Sequence, residues 1–181
     1  MRIIAGKYKG ITLEEFQADN IRPTTDRVRE NIFNKIQFIV ADSNVLDLFC
    51  GTGAVSLEFL SRGASQVVSA DNNSNSIKLI NENFKKAQEK PNLIKKDYKV
   101  VLESLKGEKF DFIFLDPPYH TNYGEDSINL ISKYDLLASD GMIIYEHLND
   151  KQFSIPSDYY IDDTKKYGTI SVTFLKKVNN D

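Results

Sequence analysis

The sequence predicts an α/β protein built on a doubly wound, mostly parallel sheet. Three observations predict it. From residue 45 onward, short apolar runs that end at turn residues alternate with stretches of helical period. Those runs are apolar throughout, as strands covered on both faces require. Near the end the alternation breaks, and two strand-like runs follow one another directly. Strands separated by helices wind in parallel, whereas consecutive strands form hairpins.

Each element can be read in order. Residues 1–16 look extended: Arg2 to Ala5 and Ile11 to Leu13, with Gly6 in the bend, predict a hairpin. Residues 25–40 read as a helix, because Val28, Ile32, Phe33, Ile36 and Ile39 recur at helical spacing. Pro23, Thr24 and Thr25 suit its entrance. The first strand covers 45–49 and runs into glycines; a helix follows through Leu57 and Leu60. The second strand covers 66–70, and Ile77, Ile80 and Phe84 mark the next helix. A short third strand at 93–94 precedes a helix near 100–105. The fourth strand is 110–115, followed by a helix over 128–137 and a fifth strand at 142–145. Runs at 159–163 and 169–175 flank Lys165-Lys166-Tyr167-Gly168 and predict an antiparallel hairpin at the end of the sheet. No linker or repeat interrupts the pattern. Residues 1–181 are therefore expected to form one domain, with 1–40 as an N-terminal hairpin and helix extension.

Composition narrows the class. No apolar run approaches the roughly 20 residues that a membrane helix needs. The opening MRIIAGKYKG lacks the long apolar stretch and the cleavage pattern of a secretory leader. The one cysteine, Cys50, cannot close an intramolecular disulfide or supply a multi-cysteine metal site, and reads as a small packed residue. These features predict a cytoplasmic protein without metal. Net charge is −3. Residues 1–35 nevertheless hold seven Lys/Arg (Arg2, Lys7, Lys9, Arg22, Arg27, Arg29, Lys35) against five acids. A basic arm on an acidic body suits phosphate contact, and a solvated surface is the plainer alternative.

The first strand ends in Asp47-Leu48-Phe49-Cys50-Gly51-Thr52-Gly53-Ala54. Glycines at this place let the backbone turn tightly against a ligand beyond the carboxyl ends of the strands. Position 56 is Ser56, so the three-glycine dinucleotide fingerprint is incomplete, and no P-loop lysine follows. Asp71 lies 20 residues after Gly51, at the end of the second strand, where an acid bonds ribose hydroxyls. Asp97 closes the third strand and could accept from an adenine amino group, or simply cap a helix. Asn72 and Tyr98 neighbour these acids. A glycine turn with two acids and no phosphate cradle describes an adenosine site, and S-adenosylmethionine fits it better than a dinucleotide does.

The fourth strand ends in Asp116-Pro117-Pro118-Tyr119. Two prolines cannot donate to the ladder and stiffen the loop. The Asp116 carboxylate and the Pro117 carbonyl can hold the two hydrogens of an exocyclic amino group and stabilise the charge that develops on its nitrogen. Tyr119 offers a face for stacking on a base. The cofactor carries the reactive methyl, so no activated side-chain nucleophile is needed.

With these residues in hand, the chain resembles the RsmD family of S-adenosylmethionine-dependent guanine-N2 methyltransferases of small-subunit ribosomal RNA. Three stretches carry the resemblance: Arg2 to Gly10, Arg22-Pro23-Thr24-Thr25-Asp26-Arg27-Val28-Arg29-Glu30, and the Asp47 to Gly53 motif together with Asp116 to Tyr119. Ala5 departs from it, since many members have a second glycine there. The resemblance implies a seven-stranded Rossmann-like sheet with an antiparallel last strand. It implies cofactor contacts at Asp47, Phe49, Gly51, Thr52, Gly53, Asp71, Asn72, Asp97 and Tyr98. Catalysis would lie at Asp116, Pro117, Pro118 and Tyr119, and RNA contacts at Arg2, Lys7, Lys9, Arg22, Thr24, Arg27 and Arg29. The expected partner is ribosomal RNA, naked or within an assembled small subunit, met by a monomer. His120 and His147 have no assigned role.

Three alternatives bear comparison. An adenine-N6 DNA methyltransferase can carry the same tetrapeptide, but only residues 1–40 lie outside the core, too little for a target-recognition region. A protein-glutamine methyltransferase typically has Asn where this chain has Asp116. A non-catalytic nucleic-acid-binding module should have lost Gly51, Gly53 or Asp116, and all three are present.

Overall fold

The computed structural model describes residues 1–17 and 25–179. Among the described residues, seven strands form one sheet in the order β3-β2-β1-β4-β5-β7-β6. The first five are β1 (Asn44–Asp47), β2 (Gln66–Ala70), β3 (Asn92–Ile94), β4 (Phe110–Leu115) and β5 (Leu137–Leu148), all paired in parallel. The hairpin of β6 (Tyr159–Tyr167) and β7 (Ile170–Lys177) completes the sheet. β7 pairs antiparallel with β5 and lies inside β6. The mostly parallel Rossmann-like sheet with an antiparallel C-terminal strand agrees with the sequence reading.

Helices cover both faces. On one side α4 (Tyr98–Ser104) and α5 (Tyr123–Lys133) bury Val101, Leu102, Ile128 and Ile131 against Leu46, Ile113 and Ile143. On the other, α1 (Asp26–Ile36) and α2 (Ala54–Ser61) bury Ile32, Phe33, Val55 and Phe59 against Val45, Phe112 and Ile144. Alternate strand residues thus face opposite helix layers, which is why the strands read as unbroken apolar runs. α3 (Ser74–Lys86) packs Ile80 and Phe84 beside α2 and the N-terminal segment.

Several expectations need correction. The N-terminal hairpin reduces to a single bridge between Arg2 and Thr12, closed by Ile3 N–H to Ile11 O and Leu13 N–H to Met1 O. Its backbone groups turn instead to α2: Lys7 N–H donates to Ser61 O at 2.8 Å, Tyr8 N–H to Ser61 Oγ at 2.9 Å, and Ser61 Oγ–H to Ala5 O at 2.5 Å. Gly6 allows this approach, since a Cβ there would stand 1.9 Å from Ser61 O and the backbone has φ +84. α1 stops at Ile36, so Ile39 is exposed and not part of the buried stripe. Thr25 caps α1 by accepting from Val28 N–H; Arg22, Pro23 and Thr24 lie outside the described residues. The first strand ends at Asp47, two residues short of Phe49. The helix expected at 128–137 is α5, displaced toward the N-terminus; Leu136 and Leu137 belong to the entry of β5, whose apolar run mimics a continued helix. β5 is also longer than 142–145, because its pairing with β4 slips: Phe110 faces Leu137 but Phe112 faces Met142.

Candidate active site

Parallel pairing brings the carboxyl ends of β1 to β4 to one edge of the sheet. The strand order departs in opposite directions from β1 and β4, and ligands of open α/β sheets bind in the crevice there. A cleft of about 600 Å³ opens at that edge. Asp47, Phe49, Gly51, Thr52, Asp71, Asn72, Asp97 and Tyr98 line it, as do all four residues of Asp116 to Tyr119. Gly53 does not. It stands behind the turn at φ +80, where a Cβ would meet Ile80 Cγ1 at 2.6 Å; its part is to let α2 start against α3.

The acids are held individually. Asp47 is buried, and its Oδ2 accepts from Ser56 Oγ–H at 2.6 Å; Ser56 Oγ is also 2.8 Å from Ser69 Oγ. Position 56, where a dinucleotide fold has its third glycine, thus carries a hydroxyl that holds the Asp47 carboxyl. Burial, aided by the nearby Asp71 charge, pushes the Asp47 carboxyl up to about 7. Asp71 braces the turn: Oδ2 accepts from Gly51 N–H at 3.0 Å and Oδ1 from Asn73 N–H at 2.8 Å. A carboxylate has about four acceptor positions, so both oxygens keep capacity for hydroxyl donors. Asp97 caps α4 through Lys99 N–H at 2.9 Å while lining the cleft. The two readings of Asp97 from sequence are therefore compatible.

Beside Asp97, Phe49, Tyr98 and Tyr123 form an aromatic wall, with Tyr98 and Tyr123 ring centroids 4.8 Å apart. The Tyr98 hydroxyl donates to Asp126 at 3.0 Å, and burial together with that carboxylate raises its pKa. Across the cleft, Pro117 is buried while Asp116 and Tyr119 are half-buried. The Tyr119 hydroxyl donates to Glu146 Oε1 at 2.9 Å. His120 follows at φ +59, exposed on the rim. His147 lies away from the cleft. Its Nδ1 is 2.8 Å from Leu148 O, which only accepts; Nε2 therefore accepts from Thr173 Oγ1–H at 2.8 Å. Burial lowers the pKa of that imidazole, against the opposing bond to Leu148 O.

The basic residues separate. Arg2 and Lys9 line a second, smaller cavity with Asp26 and Glu30. Lys7 pairs with Glu89 at 3.9 Å, next to the C-terminal end of α2 and so one helix length from the glycine turn. Arg27 is exposed. Arg29 corrects the sequence reading. It is 0% exposed, pairs with Asp26 and Glu58, and donates to Arg2 O at 2.7 Å, so it supports the N-terminal segment from within, at the inner wall of the cleft, and is not a surface cation. Arg22 and Thr24 fall outside the described residues.

Sequence reasoning missed several contributors. Glu58 sits in the middle of an apolar helix, is fully buried, and accepts from Ile4 N–H at 2.9 Å and Ala5 N–H at 3.1 Å. A charged residue inside the stretch Ala54–Ser61 was the available signal, because buried carboxylates need partners. Phe16, Ser76, Lys96 and Tyr123 also line the cleft, and only the fold brings them there. Among the described residues no helix is long and apolar enough to cross a membrane. No cluster of His, Cys, Asp or Glu among them is arranged to hold a metal.

A family model described as "Conserved hypothetical protein 95" matches residues 1–176. Ribosomal RNA small subunit methyltransferase D of Haemophilus influenzae is 31% identical, covering 94% of this chain and 91% of that protein. The protein of the same name from Escherichia coli K12 is 28% identical over 98% of this chain and 90% of its own length. Among solved structures, a hypothetical protein of Thermus thermophilus superposes with a TM-score of 0.82 at 24% identity, covering 98% of this chain and 99% of that one.

Proposed function

The chain belongs to the family described as conserved hypothetical protein 95, the RsmD family, and from that premise we propose that it transfers a methyl group from S-adenosylmethionine to the N2 amino group of a guanine in small-subunit ribosomal RNA. The observation that carries the reading is one cleft lined at once by the glycine turn, Asp47, Asp71 and Asp97, and by Asp116 to Tyr119.

The residues fit the cofactor. The turn and the braced Asp71 suit a ribose. The aromatic wall beside Asp97 suits an adenine, and the buried Asp47 suits an ammonium group, whose charge would draw its carboxyl back to the ionised form. Lys96 is the one exposed Lys or Arg in the lining among the described residues; Arg29 also lines it but is buried against Asp26 and Glu58. When bound, the cofactor supplies an electrophilic methyl on sulfonium. The rest is the chain's work. Asp116 and the Pro117 carbonyl hold the amino hydrogens, aim the nitrogen lone pair, and offset the positive charge that grows on it; as the N–CH3 bond forms and the S–CH3 bond breaks to leave a neutral thioether, one held hydrogen passes as a proton to the Asp116 carboxylate. Tyr119 stacks on the base, a contact worth ~1–3 kcal/mol. Phe49, Tyr98 and Tyr123 give the cofactor side of the cleft an aromatic surface.

Labelled cofactor incubated with ribosomal particles that lack small-subunit modifications tests the reading. Label mapped to a guanine N2 is the expected result. Label on an adenine N6, on protein, or nowhere overturns it.

A further inference from the structure

Asn83 lies on α3, fully buried between the apolar positions Ile80 and Phe84. A polar side chain there is costly unless it is bonded. Its Oδ1 accepts from Glu14 N–H at 2.7 Å; its Nδ2 donates to Glu14 O at 3.1 Å and to Thr52 O at 2.9 Å. One amide therefore joins two segments far apart in sequence: the N-terminal segment and the glycine turn of the cleft. By pairing with both the N–H and the C=O of Glu14, it does for that residue what a neighbouring strand would do.

Two residues beyond Glu14, Phe16 forms part of the cleft wall. Its ring is the nearest group to the open side of Gly51, 3.7 Å from where a Cβ would stand. Lys86, further along α3, donates to Thr12 O at 3.1 Å and to the Glu14 carboxylate at 2.6 Å. The helix thus grips residues 12–14 at two places, and the Asn83 grip is shared with Thr52. The same segment carries Arg2 and Lys9.

We propose that Asn83 is a positioning residue that couples the N-terminal segment to the cofactor turn, so that cofactor bound at the turn fixes Phe16 over Gly51 and holds the segment ready for RNA. The inference rests on the cofactor reading above. Coupling between sites is reciprocal. RNA held by the segment therefore tightens the cofactor by the same factor.

Amide hydrogen exchange with and without S-adenosylhomocysteine tests it on the full chain. In the wild type the ligand should slow exchange at the glycine turn and also at residues 11–17, the latter about tenfold, a usual size for coupling between sites. Asn83→Ala should keep the protection at the turn and lose it at the segment. Glu14→Pro removes the N–H that Asn83 accepts, fixes φ there, and removes the carboxylate that pairs with Lys86; it should behave alike and carries the test if Asn83→Ala does not fold. Glu14→Ala, which keeps that N–H, should retain the coupling. Equal segment protection in Asn83→Ala or Glu14→Pro overturns the proposal, and so does wild-type binding that leaves residues 11–17 unprotected. If the wild type fails to bind the ligand at all, the cofactor reading falls and this inference falls with it.

Discussion

The Tyr119 hydroxyl donates to the buried carboxylate of Glu146, tying the loop after β4 to β5 at 2.9 Å. The bond sets the pitch of the tyrosine ring at the cleft. Ring and hydroxyl then have separable roles. Tyr119→Ala should raise the KM for RNA by about 10- to 100-fold, the equivalent of one lost base stack. Tyr119→Phe keeps the ring and should lose much less. Equal losses in steady-state assays of the two variants would show that the hydroxyl, and not the stack, is what matters.

Asp116 should matter only once the methyl acceptor is present. Asp116→Ala is expected to bind S-adenosylmethionine with wild-type affinity by calorimetry. Its single-turnover transfer should drop by about 10²–10³, as when one charge-stabilising group is removed. Transfer at the wild-type rate would sink the mechanism.

Asp47 makes stability depend on pH. Burial raises its carboxyl to about 7 in the folded chain, against about 4 when unfolded. A raised folded pKa favours the protonated native form. The contribution is fully present below pH ~4 and is lost as pH rises through ~7. Asp47→Asn keeps an oxygen to accept from Ser56 and removes the loss. Its Tm relative to the wild type should therefore climb between pH 4 and pH 8. A constant difference across that range would mean that Asp47 is ionised throughout.

The basic residues should not contribute equally to RNA binding. Arg2 and Lys9 share a cavity, whereas Lys7 faces Glu89 near the far end of α2. If Arg2 and Lys9 each meet a phosphate, replacing either with Ala lowers the salt slope of RNA affinity by about one. Lys7→Ala should change it less, and Arg29→Ala should show itself as lost stability, because Arg2 O loses its donor and Glu58, which keeps Arg62 at 2.8 Å, loses its second cation. Filter-binding titrations across salt concentration, with thermal melts, separate these outcomes.

Much of this was legible from sequence because it depends on local pattern. β2 and β4 match the expected runs residue for residue, since uniform apolar stretches between turn signals have one reading. The candidate site was legible because three motifs sit at strand ends, and a parallel sheet must bring such ends together. The rest depends on long-range pairing. Leu136 and Leu137 extend the helical period of α5 although they enter a strand; their neighbour Phe110, which Leu137 pairs with, is far away in sequence. Residues 1–16 have strand-like composition, yet Ser61 and Glu58 capture their backbone groups. Arg29 looks like one more surface cation until Glu58 is seen beneath it. Asn83 and Glu146 announce themselves only as polar residues inside apolar stretches, and their partners Glu14, Thr52 and Tyr119 come from other elements.

Inserting β7 between β5 and β6 also orders how the sheet can assemble. β6 meets the sheet only through β7, so it arrives with β7 as a hairpin or after it. Until then β5, with its apolar run from Met142 to Tyr145, presents an unpaired edge, the kind of surface that recruits other chains. The charges on β6, with Asp162, Asp163, Lys165 and Lys166 at the finished rim, then act as gatekeepers. The folded molecule closes its sheet with a polar strand, and the hazard of self-association is confined to the interval before that strand arrives.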